Sequence, residues 1–344
     1  MKKIIQDLSF AQTEELISSF GEKNFRAKQL YTGIMQGKAV SAINLPSELR
    51  RKILEDYEDL PLKIVKTLTA DDGTEKYLFR LSDGNIIEGV LMKYKYGNTQ
   101  CVSTQVGCRM GCKFCASTLG GLVRNLTSGE ILAQVLAVNA LHGGPAKRGV
   151  TNIVLMGSGE PLDNYENVVN FLKNVSAEGG INISARNISL STCGLVPKIY
   201  KLADENLPVN LTVSLHQTTD EGRARTMPVA KKYKIAEILS ACGYYFEKTG
   251  RRYIFEYSLI AGENCDKKHA EELIGLLKGK PCHVNLIRLN EVKERGLKTI
   301  TEKQAYFFLA QLQNGGLSAT LRRQIGADIG GACGQLRAGY TENI

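Results

Sequence analysis

The sequence predicts an α/β protein. Its centre is a partial (β/α)6 TIM-like barrel, preceded by a small N-terminal helical domain and a short β segment. Three observations carry this expectation. From about residue 96 onward, short apolar runs rich in β-branched residues alternate with helical stretches, and alternating βα units imply a parallel sheet with crossover helices. Residues 1–60 instead show helical spacing of apolar and charged residues. The chain has 344 residues, 43% of them hydrophobic, which is ample for a sizeable core and suggests about two domains.

The elements follow in order. In residues 1–60, "TEELISSFGEKNFRAKQLYTGIMQG" reads as helices broken at Gly21 and Gly37. "LPSELRRKILEDY" reads as another, with Pro46 near its start and Ser47 as a cap. Lys23, Arg26, Lys28, Arg50, Arg51 and Lys52 make this domain a candidate RNA-binding accessory; solvated helix faces are the plainer reading. Residues 61–95 alternate apolar and polar positions around "DDG" and "SDG" turns, a short antiparallel β connector.

The barrel is expected over residues 96–327. Its strands are "TQCVSTQ", "TNIVLM", "RNISLS", "VNLTVSL", "RYIFEYSLI", "HVNLIRL" and "SATLRRQ". Thr127 with Glu130 and Thr301 with Gln304 have capping-box spacing, and Pro197 suits a first helical turn. An open doubly wound sheet is the alternative. In a barrel, ligands gather at the C-terminal ends of strands, and every chemical motif here falls at such an end. The tail, residues 328–344, is Gly- and Ala-rich around Cys333 and should be mobile unless something holds it.

Bulk composition narrows the partners. The formal net charge is +9, and a basic surface favours anionic partners, nucleic acid foremost. The N-terminus has no apolar h-region or cleavage signal, and no run of ~18 apolar residues occurs. A cytoplasmic protein without membrane association is expected. Nine cysteines, an odd number, in such a chain argue for metal or redox chemistry rather than a disulfide framework. Cys193, Cys242, Cys265 and Cys282 are scattered singly and read as small buried hydrophobes.

The chemistry begins at "CRMGCKFC". Cys108, Cys112 and Cys115 form a C-x3-C-x2-C triplet on the loop after the first barrel strand, with Phe114 before the last cysteine. Structural zinc needs a fourth ligand. His142, His216, His269 and His283 all lie far away in sequence, and there is no second C-x-x-C. A [4Fe–4S] cluster on three thiolates leaves one iron open for a chelating ligand, and this spacing is the signature of radical S-adenosylmethionine (radical-SAM) enzymes. After the second strand, "LMGSGEP" has glycines that permit close backbone approach, and Glu160 is suited to pairing with an ammonium. It lacks the third spaced glycine of a dinucleotide fingerprint. "SLSTCG", "TVSLH" and "HVNLIRLN" put Ser191, Ser214, His216 and Asn290 at further strand ends. Cys101 lies on the strand leading into the triplet. Cys333 has small neighbours on both sides, which leave its thiol open to reaction.

Taken in order, "CVSTQVGCRMGCKFCAS", "GSGEPLDN", "SLSTCG", "SLHQTTDEGR", "VNLIRLN" and "ADIGGACGQL" resemble the radical-SAM dual-specificity 23S rRNA/tRNA adenine-C2 methyltransferases, the RlmN family, over nearly the whole chain. The resemblance implies methylation of C2 of an adenosine in 23S rRNA and in a tRNA anticodon loop. It implies one [4Fe–4S] cluster on Cys108, Cys112 and Cys115, and two SAM molecules per turnover. SAM contacts carry over to Gly159, Glu160, Ser191, Ser214, Leu215, His216 and Asn290. Cys333 carries the methyl group, Cys101 forms a transient disulfide with it, and Glu88 accepts the C2 proton. A flavodoxin-like electron donor and a monomeric enzyme are also implied. Arg109, Lys113, Arg124, Arg223, Arg225, Arg322 and Arg323 are candidates for holding RNA phosphates. The chain departs from the family at Ser158, where Met is common, and at Glu291, where Pro usually follows Asn290. The rivals are the adenine-C8 methyltransferases of antibiotic resistance, which carry Ala in place of Pro161, and a non-catalytic zinc RNA-binding protein.

Overall fold

The computed structural model describes residues 2–144 and 147–336; the tail beyond Leu336 lies outside the described residues. The N-terminal unit holds β1 (Lys3–Ile4), α1 (Phe10–Ser19), α2 (Phe25–Met35), α3 (Ser47–Asp56) and β2 (Tyr57–Glu58), with β1 and β2 paired in parallel. Its helices bury Ile17, Leu30, Ile34, Leu49 and Ile53 in a cluster of their own. Ser9 and Gln12 form a capping box at α1 that the sequence reading did not single out. At α3 the cap residue is Pro46, with no side-chain bond, and Ser47 is already the first helical residue. The expected Ser47 cap is therefore displaced by one position.

Next come β3 (Leu62–Thr69), β4 (Glu75–Leu81), β5 (Ile86–Tyr94) and β6 (Gly97–Cys101), each antiparallel to the next in chain order. Gly73 and Gly84 close the two expected turns at φ +83° and +86°. This meander hydrogen-bonds directly into the barrel sheet. The barrel strands are β6, β9 (Asn152–Leu155), β10 (Ile188–Thr192), β11 (Asn210–Ser214), β12 (Tyr253–Leu259), β13 (Cys282–Arg288) and β14 (Ala319–Leu321), joined in parallel. One ten-stranded sheet results, in the order β14-β13-β12-β11-β10-β9-β6-β5-β4-β3. A separate antiparallel pair, β7 (Gln105–Gly107) and β8 (Leu122–Asn125), brackets the loop with the cysteine triplet.

The crossover helices are α4 (Ser128–His142), α5 (Tyr165–Ser176), α6 (Val196–Asp204), α7 (Asp220–Thr226), α8 (Ile235–Thr249), α9 (Lys267–Leu277) and α10 (Glu302–Asn314). Both expected capping boxes form, Thr127/Glu130 on α4 and Thr301/Gln304 on α10, and Pro197 sits in the first turn of α6. Alternate strand residues such as Ile153, Leu190, Leu211 and Phe255 pack against the helices in one continuous core. Among the described residues, no helix is long and apolar enough to cross a membrane.

Candidate active site

The C-terminal ends of the parallel strands converge on one cavity. Cys108, Cys112 and Cys115 line it from the loop after β7. Gly159, Glu160 and Pro161 line it from the end of β9, Ser191 and Cys193 from β10, Ser214 and His216 from β11, and Asn290 from β13. Cys333 closes it from the C-terminal loop. The residues expected at strand ends are thus gathered in one place.

The triplet loop is held by backbone bonds. Cys108 N donates to Gly121 O at 2.9 Å, and Lys113 N donates to Thr226 O at 2.9 Å. Thr118 Oγ1 reaches the carbonyls of Cys112 and Cys115 at 3.2 and 3.0 Å. Burial pushes the Cys108 thiol up to about 12 and moves those of Cys112 and Cys115 up as well, with Cys115 adding to the cost of ionising both Cys108 and Cys112. Coordination to iron removes that cost by deprotonating the thiol outright. Among the described residues, no three His, Cys, Asp or Glu side chains are grouped to hold a single metal ion. A cubane asks for something different, one thiolate on each of three irons, and three soft donors facing one cavity fit it.

Glu160 is buried in the wall of the cavity. Its Oε2 accepts from Cys193 N at 2.7 Å and its Oε1 from Leu162 N at 3.0 Å. Burial pushes its carboxyl up, and these bonds oppose the shift. The glycines beside it approach the chain itself rather than only a ligand. A Cβ on Gly159, at φ +112°, would meet Gln105 Cβ at 2.7 Å; one on Gly157 would meet Val102 O at 2.6 Å. The loop is therefore threaded tightly over the segment that follows β6.

His216 adopts a left-handed conformation, φ +58°. Its Nδ1 accepts from Ser258 N at 2.9 Å, which leaves the proton on Nε2. Asn264 Nδ2 holds the His216 carbonyl at 2.8 Å. The ring meets Phe114 edge-on, with centroids 4.6 Å apart. Burial, aided by the Arg223 charge, lowers its pKa to about 3, so the imidazole is neutral at physiological pH. Leu215 is fully buried and is not among the cavity-lining residues, so any contact it makes there is through its main chain.

A second cavity opens beside the first. Cys101, at the end of β6, lines it together with Val90, Met92 and Leu336. Cys333 lines both cavities, as do Asn290 and Arg322. Asn290 Nδ2 donates to Cys333 O at 3.1 Å, and Ala116 N donates to Gly334 O at 2.7 Å. The loop around Cys333, expected to be mobile unless held, is thus tied to the barrel on both sides. Burial pushes the Cys101 thiol up to about 12, with Cys333 adding to the shift. Arg322 lies 3.3 Å from Glu256, and the neighbouring Cys333 and Glu256 hold its guanidinium firmly charged. Glu88 is fully buried on β5, paired with Lys76 at 2.7 Å, and lines neither cavity.

The Radical SAM superfamily model matches residues 102–274. A probable dual-specificity RNA methyltransferase RlmN from Clostridium perfringens is 52% identical, over 100% of this chain and 99% of its own length. The chain belongs to the RlmN family. A second such relative, from Clostridium tetani, is 48% identical over 98% of this chain and 96% of its own length. The crystal structure of a radical SAM methyltransferase from Sphaerobacter thermophilus superposes with a TM-score of 0.93 at 43% identity, covering 97% of this chain and 99% of that one. The α/β radical-SAM barrel, the RNA methyltransferase activity and the need for an iron–sulfur cluster and SAM follow from membership.

Within this RlmN-family chain, several expectations about single residues need correction. Cys193 lines the main cavity instead of serving only as core. Arg223, taken as a phosphate contact, has no exposed surface and cannot reach RNA. Arg124 is paired with Asp83 and Glu130; Arg109, although paired with Asp163, stays exposed, as do Lys113, Arg225 and Arg323. The sequence reading missed Glu256, Asn264 and Arg295. Arg295 Nη2 donates to Thr118 Oγ1 at 2.5 Å, over the triplet loop. No local signal marks these residues, because each acts through a partner far away in the chain.

Proposed function

We propose that this chain methylates C2 of an adenosine in 23S rRNA, and C2 of an anticodon-loop adenosine in tRNA, through a methyl group carried on Cys333. One observation carries the reading: Cys333 lines both the cavity with the cysteine triplet and the cavity with Cys101. A single thiol can then serve radical formation on one side and resolution on the other.

Adenine C2 is an electron-poor ring carbon and no nucleophile, so it cannot attack a sulfonium methyl directly. Cys333 takes a methyl group from one SAM by displacement. Cys108, Cys112 and Cys115 would hold a [4Fe–4S] cluster, which, with a flavodoxin-like donor, would supply the electron for reductive cleavage of a second SAM to methionine and a 5′-deoxyadenosyl radical. Gly159, Glu160, Ser191, Ser214, Leu215, His216 and Asn290 hold that SAM, with Glu160 facing its ammonium and the His216 Nε2–H available to an acceptor. The Cys333 S-methyl gives a hydrogen atom to that radical, forming 5′-deoxyadenosine, and the resulting methylene radical adds to C2 as a bridge between RNA and protein. The adduct would return one electron to the oxidised cluster and lose the C2 proton to Glu88; Glu88 shares a face of β5 with Val90, a lining residue of the second cavity. Cys101 thiolate then attacks the Cys333 sulfur. The S–S bond forms, the carbon–sulfur bond breaks, and the released carbon takes a proton to become the methyl group.

The substrates are bases in loops that can be splayed into a pocket. The N-terminal helical unit, residues 1–60, with exposed Lys113 and Arg323, would hold their phosphates. The enzyme acts as a monomer in the cytoplasm.

The test uses SAM with a labelled methyl group. Label should appear on the Cys333 peptide and, after incubation with rRNA or tRNA, as 2-methyladenosine. Cys101→Ala should leave RNA covalently attached to protein. Transfer of label by Cys333→Ala would refute the proposal, and 8-methyladenosine as the only product would reassign the chain to the C8 reaction.

A further inference from the structure

Arg223, on α7, has no exposed surface. Its Nη2 donates to Cys193 O at 2.5 Å and to Ser214 O at 3.1 Å. Its Nε and Nη1 are buried with no hydrogen-bond partner. A guanidinium stays charged in proteins, and burying that charge without an anion is strongly unfavourable. The one carboxylate that influences it, Asp220, has an oxygen engaged by Ile235 N at 2.8 Å. Cys193, whose carbonyl Arg223 holds, packs in one small cluster with Cys112, a member of the triplet. Arg223 is not among the residues lining the SAM cavity.

We infer that Arg223 is the buried counter-charge of the iron–sulfur cluster, placed to stabilise the cluster's reduced form. The inference rests on the reading of Cys108, Cys112 and Cys115 as cluster ligands. Iron binding turns Cys112 into a thiolate, which gives the guanidinium its missing anion. One-electron reduction makes the thiolate-bound cluster one unit more negative, and net charge near a cluster sets its potential. A fixed buried cation therefore favours reduction, the step that precedes SAM cleavage.

Two measurements on the full chain test this, using Arg223→Met, Arg223→Gln and the conservative Arg223→Lys. EPR-monitored redox titration should show the reduction equilibrium weakened at least tenfold in the Met and Gln variants, a drop of about 59 mV for one electron, and largely restored in the Lys variant. Thermal melts should show Arg223→Met lowering the melting temperature of the iron-loaded protein while leaving the iron-free protein no less stable than the parent. An unchanged potential, or equal destabilisation of both forms, would overturn the inference. Iron and sulfide analysis of the parent protein checks the ligand reading separately.

Discussion

Lys76 and Glu88 form a buried ion pair at 2.7 Å, and the same ammonium donates to the Gly330 carbonyl at 3.1 Å, three residues before Cys333. The antiparallel strands β4 and β5 are thereby linked to the loop that carries the methyl acceptor. Lys76→Met leaves Glu88 a buried charge without its cation. Breaking such a pair costs about 3–5 kcal/mol, to be read as a lowered urea midpoint. Lys76→Met with Glu88→Leu should recover most of that loss. Both changes should speed hydrogen exchange over residues 326–336, since the Gly330 tether is gone in each.

Gly159 is irreplaceable for a steric reason. Its φ of +112° is strained for any L side chain, and a Cβ there would press on Gln105 Cβ at 2.7 Å. Gly159→Ala should destabilise the protein by about 3 kcal/mol or more, from backbone strain plus overpacking. The displaced loop carries Glu160, so SAM affinity should fall as well. Differential scanning calorimetry and equilibrium SAM binding on the same sample check both effects.

His216 makes stability depend on pH. Its folded pKa of about 3 lies below the ordinary value of 6.5, so between those pH values the unfolded chain binds a proton that the folded chain excludes. Stability is therefore fully present above about pH 6.5 and falls as the pH drops toward 3. The whole window is worth about 5 kcal/mol. Asn tolerates a left-handed backbone and can accept the Ser258 N–H. His216→Asn should accordingly flatten this part of the urea-midpoint profile between pH 7 and pH 4. An unchanged slope would show that His216 is not its source.

Much of the fold was legible in the sequence because its signals are local. Thr127/Glu130 and Thr301/Gln304 are pairs three residues apart, and a capping box needs nothing beyond its own turn. The strand-then-helix rhythm set the parallel sheet, and the triplet spacing of Cys108, Cys112 and Cys115 pointed to the cluster. Ser47 was misplaced by one residue because Pro46 can occupy the cap position with its fixed φ and no side-chain bond. That the β3–β6 meander joins the barrel sheet was not legible. The join is the antiparallel pairing of β5 with β6; each segment reads as a strand, but nothing in either shows that β6 serves the meander and the barrel at once.

The sequence by itself determined the architecture, the family and the set of reactive types: three clustered thiols, two isolated ones, and small polar groups at strand ends. These are properties of spacing and residue chemistry, which survive without a third dimension. The tertiary structure decided which of them share a space. It put Cys333 between two cavities, one with the triplet and one with Cys101, and tied its loop to Asn290 and Ala116. It also turned Arg223, indistinguishable from a surface arginine in the sequence, into a buried cation bonded to the carbonyls of Cys193 and Ser214. Charge is written in the sequence, but its solvation and its partner are set only when distant segments pack together, and those settle what a charged residue does.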